Sequence, residues 1–286
     1  MNRRQFLARG AALAGAGALG VGGYTWGVEP HWLEVVEREL PIADLPAALA
    51  GARLLQLSDL HVGPRVSDAY LVDALARGAA LRPDLVAVTG DLLTHREWRG
   101  EAQYAQLRQV LAHLPQGRLA TVAVLGNHDY GTRWRDVRVA ARVQAELERA
   151  GARVLRNDAV AVAGLDFVGV EDLWSRRADA RRAFACRSAD AAIALCHNPD
   201  GADELAWGQY RGWILAGHTH GGQCRPPFLP PPVLPVRNPR YAAGEVEAPG
   251  GRRLYISRGV GYTMRVRFAV RPELTLFTLR PATPTA

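Results

Sequence analysis

Lysine is missing altogether: each of the 35 basic residues is an arginine. That absence excludes nothing, because it reads as genomic base composition. Cysteine is scarce, three in 286 residues. An odd number that small excludes a disulfide framework, and a chain of this length buries about three-quarters of the surface its unfolded form exposes without such staples. A 22% charged share beside a 48% apolar share excludes a disordered chain and a multi-span membrane protein alike. No internal repeat or linker interrupts the sequence, so residues 33–280 read as one domain. Surplus charge is also small. Taking Arg3, Arg4 and Arg9 from the net +7 leaves +4, too modest an excess to call for a nucleic-acid partner. What is present, and unevenly placed, is histidine: eight residues.

The first 28 residues read as an address. Arg3-Arg4-Gln5-Phe6-Leu7 precedes a run of 19 uncharged residues, Gly10 to Val28. A helix of that length is about 28 Å long, close to the thickness of a bilayer core. The paired arginines resemble a twin-arginine export signal, which implies passage through the twin-arginine machinery. The expected location is the periplasm or the outer face of the inner membrane, against a membrane surface, with the basic end held inside. Ala14-Gly15-Ala16 and Ala16-Gly17-Ala18 fit a cleavage site but come early in the run, which favours an uncleaved anchor.

Beyond it, strands and helices alternate. Residues 33–40, 53–57, 85–88, 120–125, 191–196, 213–216, 253–257 and 273–279 read as strands, several continuously apolar and therefore buried. Residues 67–80, 102–114 and 134–150 have helical spacing, with Ser67 as N-cap and Gly151 as a stop. Ala163-Gly164 marks a hairpin between 160–162 and 165–170. Residues 225–239 are proline-rich and read as loop. The pattern is that of a layered α/β domain.

Five strand ends carry Asp, Asn or His: Asp59-Leu60-His61, Gly90-Asp91, Gly126-Asn127-His128-Asp129, His197-Asn198 and Gly217-His218-Thr219-His220. Loops at the carboxyl ends of parallel strands gather in one crevice, so residues far apart in sequence can share a site. An extended backbone would point Asp59 with His61, and His218 with His220, the same way. The glycines before Asp91, Asn127 and His218 are expected to free the backbone for turns. Oxygen and imidazole ligands without a thiolate suit Mn²⁺, Fe or Zn²⁺. Seven of them exceed what one tetrahedral ion uses; two bridged ions would use all seven.

This ordered set resembles the calcineurin-like metallophosphoesterase family, from about residue 52 to 257. The resemblance implies a four-layer α/β/β/α sandwich and two divalent metal ions, Mn²⁺ ahead of Fe or Zn²⁺. It implies one ion on Asp59, His61, Asp91 and His220, and another on Asp91, Asn127, His197 and His218. It further implies a hydroxide held between the ions as nucleophile, His128 facing the substrate phosphate, and Asp129 orienting the His128 ring. The run Gly217–Gln223, the proline-rich loop, Tyr255–Gly259 and Arg267-Phe268 resemble the exported or membrane-anchored bacterial branch. That narrower likeness implies hydrolysis of a phosphate diester or pyrophosphate, including a lipid-linked one such as UDP-2,3-diacylglucosamine.

Other readings have less behind them. A metallo-β-lactamase-like hydrolase needs a His-x-His-x-Asp-His run, whereas Gly221-Gly222-Gln223 follows His220. A non-enzymatic metal-binding envelope protein would be expected to have lost ligands. A phosphomonoesterase or nuclease of the same fold remains a further alternative. His31, His95 and His113 fall outside the pattern, although His95 lies near enough to Asp91 to reach substrate. Asp172 reads as a loop anchor and Cys196 as core. Cys224 stands near the site, and Arg65 and Arg258 are candidate phosphate contacts.

Overall fold

A computed structural model describes residues 2–94 and 100–282. Helix α1, Arg3–Gly23, projects with none of its residues buried. A wider turn (24–28) and a short 3₁₀ turn (29–31) continue it onto the domain. From Arg3 to His31 it is long and apolar enough to cross a bilayer.

The strands are β1 (Glu34–Ile42), β2 (Arg53–Leu57), β3 (Leu85–Thr89), β4 (Ala120–Val124), β5 (Arg153–Val154) and β6 (Asp158–Val162). They continue with β7 (Leu165–Gly169), β8 (Ala191–Leu195), β9 (Trp213–Ala216), β10 (Gly244–Ala248), β11 (Arg252–Ile256) and β12 (Glu273–Pro281). They form two six-stranded sheets, ordered β1-β12-β2-β3-β4-β5 and β10-β11-β9-β8-β7-β6. Strands β2 to β5 run parallel, as do β7, β8, β9 and β11. The C-terminal strand β12 inserts antiparallel to β2 and parallel to β1.

Three cores define four layers. Leu54, Ala87, Val122 and Phe277 of one sheet meet Phe167, Ile193, Leu215 and Tyr255 of the other, filling the space between the sheets. The first sheet's outer face is covered by α2 (Asp68–Ala80), α3 (Glu101–Leu111) and α4 (Val137–Arg149), through Leu71, Leu75, Leu107, Val143 and Leu147. The second sheet's outer face packs on α5 (Ala180–Ala185) and α6 (Gly201–Glu204), through Ala183 and Ala202. The arrangement is the expected α/β/β/α sandwich.

Local differences from expectation have local causes. Ser67 stands at the N-cap of α2 but makes no capping bond. Helix α4 starts at Val137 instead of residue 134, because Arg133 and Trp134 adopt positive φ and Asp136 caps the helix from Arg138 N–H. No sequence pattern marks strand β10 or helices α5 and α6. The strand alternates small and charged residues, and both helices are too short for periodicity to register. The hairpin at Ala163-Gly164 forms with both residues at positive φ, the primed-turn geometry.

Candidate metal centre

All five strand-end segments follow β2, β3, β4, β8 and β9 directly, so the pleated sheets bring them to one edge of the sandwich. Asp59, His61 and His220 each offer a ligand atom within 4.8 Å of the others; so do Asp91, His197 and His218. Asp91 lies between the two groups, its Oδ2 3.6 Å from His61 Nε2 and 3.3 Å from His197 Nε2. Its Oδ1 accepts the His128 backbone N–H at 2.9 Å. His220 Nε2 stands 3.4 Å from Asp59 Oδ1 and 2.9 Å from His61 Nε2.

The backbone at these positions is not extended. Asp59, His61, Asp91, His218 and His220 all take positive φ, between 49° and 71°. Asp59 and His61 fall in one group despite this backbone, whereas His218 and His220 fall in different groups. Left-handed backbone at a residue with a Cβ costs of order 1–3 kcal/mol each, and such strain collects at functional sites. The glycines also divide differently. Gly90 uses its freedom (φ +94°), but Gly126 (φ −96°) does not. A Cβ on Gly126 would collide with the Asp91 carboxylate, and one on Gly217 with Ser58 and Asp59. Those two glycines give clearance for ligands.

Burial and neighbouring charge set the protonation of these side chains. Burial, and then neighbouring positive charge, pushes the His61 and His218 imidazoles down to about 3 and His220 well below its ordinary range. Metal ligation requires that neutral state. Burial would raise Asp91, but His197 and His128 overcome it and hold the carboxyl well below the usual range. Burial opposes charge on His197 too; Asp91, followed by Asp59 and Asp172, nonetheless lifts it to about 10. His197 Nδ1 lies 2.7 Å from the Thr89 carbonyl and His218 Nε2 2.9 Å from that of Pro235. Each carbonyl fixes a tautomer and turns the other nitrogen inward, the usual outer support of a metal ligand. His197 Nε2 and Asn127 Oδ1 are buried without a hydrogen-bond partner. Carboxylates, imidazoles and an unsatisfied amide oxygen facing one another form a donor set that fits divalent cations, which would displace the proton that Asp91 holds on His197.

Asp129 is bonded to the backbone of two loops. Its Oδ1 accepts the N–H groups of Leu92 (2.9 Å) and Leu93 (3.1 Å), and its Oδ2 that of Gly126 (2.9 Å). Both oxygens accept backbone N–H groups, so Asp129 ties the loop after β3 to the loop after β4. The His128 ring meets His61 edge-on, centroids 4.9 Å apart. Asp172 anchors a loop as expected, accepting from Trp174 and Ser175 N–H. Arg258 binds Glu273 and Glu34, and Cys196 joins the core outside the second sheet. His31 packs edge-on against Tyr70 and Tyr262. His95 lies outside the described residues.

A cleft of about 370 Å³ opens on the cluster. Asp91, Asn127, His128, His218 and His220 form its floor; Trp134, Trp174, Val233 and Met264 stand in its walls. Trp174 bridges floor and wall, its ring 4.5 Å from both His218 and Trp134. Neither tryptophan was singled out from sequence, since isolated aromatics in loops carry no periodic signal.

Carboxylates and imidazoles converged at the strand ends of a four-layer α/β/β/α sandwich are a donor set suited to a metal-dependent hydrolase. The chain belongs to the calcineurin-like phosphoesterase family, whose sequence model matches residues 52–222. It is 32% identical to phosphodiesterase YaeI of Escherichia coli, over 98% of this chain and 99% of that protein. It is 31% identical to the uncharacterized metallophosphoesterase YkuE of Bacillus subtilis, covering 98% of each. It is 27% identical to UDP-2,3-diacylglucosamine pyrophosphatase LpxG of Chlamydia trachomatis, over 87% of this chain and 90% of that protein.

Proposed function

We propose that this chain hydrolyses phosphate diesters or pyrophosphates with two divalent cations, Mn²⁺ ahead of Fe or Zn²⁺. Asp59, His61, Asp91 and His220 hold one, and Asp91, Asn127, His197 and His218 hold the other. The observation that carries this reading is Asp91 Oδ2 standing between His61 Nε2 and His197 Nε2, which suits a carboxylate shared by two sites. Bound there, the cations would supply Lewis acidity and an activated water. His128, on the cleft floor, donates a proton to the leaving oxygen, help worth about 10²–10⁴-fold. Trp134, Trp174, Val233 and Met264 shield the reacting phosphate from bulk water on the cleft's open side.

The substrate class extends to a lipid-linked pyrophosphate such as UDP-2,3-diacylglucosamine. The name of the Chlamydia relative and the apolar cleft walls support it. Residues 1–28 serve as an uncleaved anchor, inserted by the twin-arginine route, that holds the domain at the outer face of the inner membrane. The unbroken run from Arg3 to His31 supports the anchor, and Arg3-Arg4 supports the route.

Purified, Mn²⁺-loaded protein assayed against an aryl phosphodiester, a nucleotide-sugar lipid and a phospholipid tests this. Turnover that vanishes with chelator and returns with Mn²⁺ is expected; full activity in Asp91→Ala would sink the proposal.

A further inference from the structure

Apolar side chains left in water recur around the cleft mouth and lead back to the base of α1. Phe228 is fully exposed and Leu229 is 64% exposed, side by side at the tip of the proline-rich loop. Val233, on the same loop, and Met264, on the loop before β12, are exposed and line the cleft. Backbone contacts connect these loops to the anchor. Arg225 N–H donates to the Phe268 carbonyl at 2.8 Å, and Phe268 N–H to that of Gln223 at 2.9 Å. Next to Phe268, Arg267 N–H donates to the Thr25 carbonyl at 3.1 Å. Glu29, buried, accepts the Val270 N–H at 2.6 Å through its Oε1. Arg267, also buried, donates to the carbonyls of Arg258, Gly261 and Val270. The stretch that seats the base of the anchor thus also borders the cleft and braces the arm carrying Phe228.

We propose that the Phe228-Leu229 tip and the cleft rim form a second membrane-contacting surface, which sets the cleft mouth against the bilayer that α1 enters. This rests on the anchor reading above. Three observations choose a lipid surface over a protein partner. First, Trp26 and Trp32 at the anchor base are half-exposed and covered by Arg271 (3.7 Å from the Trp32 ring) and Arg265 (5.7 Å from Trp26). Tryptophan paired with arginine at the end of an apolar helix marks the headgroup level, and the loop bearing those arginines is the one that borders the cleft. Second, residues 226–232 read Pro-Pro-Phe-Leu-Pro-Pro-Pro. Only Phe228 and Leu229 have an N–H, and that of Leu229 is satisfied by the Pro226 carbonyl at 3.1 Å. Entering an apolar interface therefore strands almost no backbone donor, and the same lack of donors disfavours docking by strand addition. Third, the tip is stiff: prolines flank it on both sides and Phe228 is held at φ +67°. A rigid, exposed apolar tip loses little conformational entropy on insertion.

The test uses the full chain in phosphatidylethanolamine–phosphatidylglycerol vesicles. With Cys186→Ser and Cys224→Ser as background, a nitroxide is attached at Leu229→Cys, or at Gln209→Cys as the solvent reference. The expected result is a nitroxide at 229 relaxed more by O₂ than by a water-soluble nickel chelate, with the reverse at 209. Equal access of the chelate to both positions, or spin–spin broadening from a second copy at 229, overturns the proposal. In a second arm, Phe228→Asp combined with Leu229→Asp leaves turnover of a soluble aryl diester unchanged. The ratio of vesicle-borne to soluble turnover is expected to fall about tenfold; an unchanged ratio also overturns the proposal. Depth is read without turnover, so an inactive enzyme with a buried tip refutes the proposed function alone. A chain that fails to float with vesicles refutes the anchor, and a floating chain with a wet tip refutes this surface alone.

Discussion

His61 and His220 approach with their Nε2 atoms 2.9 Å apart, in rings stacked at 27°. Burial keeps both imidazoles neutral, so two ring nitrogens meet where at most one proton can sit. A cation would take both lone pairs. Binding that selects the folded state stabilises it by about 4 kcal/mol at a thousandfold excess over Kd, which for a chain of this size is roughly 8–16 °C in Tm. Chelation should therefore lower Tm by several degrees and abolish turnover together, with about two equivalents of Mn²⁺ restoring both. Calorimetry alongside metal analysis checks this; a Tm indifferent to chelator would contradict it.

His128 and Asp129 are neighbours in sequence with different work. His128→Asn should lower kcat by about 10²–10⁴-fold and leave metal content and Tm near the parent's. Asp129→Asn places an amide among three backbone donors; with one of them unmatched and buried, the expected cost is about 1–3 kcal/mol of stability. Were Asp129 to steer the imidazole instead, its loss would shift the acid limb of the pH–rate profile while sparing Tm. Urea unfolding together with that profile separates the two.

The convergence of these Asp, Asn and His residues was legible because its signal is local: each segment follows an apolar strand. The support around it was not. The Thr89 and Pro235 carbonyls behind His197 and His218 are backbone atoms, which any residue type supplies. The positive φ of Asp59 and His220 depends on packing between sheets distant in sequence. The bonds of Asp129 cross to Leu92 and Leu93, which no local pattern around position 129 announces. The seat of the N-terminal helix joins Glu29 to Val270, 241 positions apart, and no pattern within either segment announces it.

Glu146 makes a pH dependence away from the site. Hydrogen bonds from Arg108, and then from Arg149, hold its carboxyl at about 2 against the opposing effect of burial. A carboxylate lowered in the folded state stabilises fully above its unfolded value of 4.5 and loses that contribution as pH falls towards 2. Both arginines are about half-exposed, so solvent screening limits the effect to about 1–2 kcal/mol. Glu146→Gln should cost that much above pH 5, and the gap from the parent should shrink by roughly half or more by pH 3. Urea titrations across that range check it; a gap that stays constant would assign the loss to packing.

Gly217 offers the sharpest separation of site from fold. It follows β9 directly, its N–H donates to the His197 carbonyl at 3.0 Å, and a Cβ there meets Ser58 Oγ and the Asp59 carboxylate. That carboxylate receives His218 N–H on both oxygens, at 3.1 and 3.2 Å, and cannot yield without moving the backbone between His218 and His220. Gly217→Ala should displace Asp59 while sparing the three cores. Metal occupancy is expected to fall towards one ion per chain and turnover by about 10²-fold or more, since a misplacement near 1 Å costs that much. Far-UV circular dichroism should be unchanged. Gly244→Ala, at a glycine with positive φ and no atom close to its would-be Cβ, is the control: it brings backbone strain without touching a ligand, so stability should drop while metal content holds. If both variants bind two ions equally well, the clearance argument for Gly217 fails.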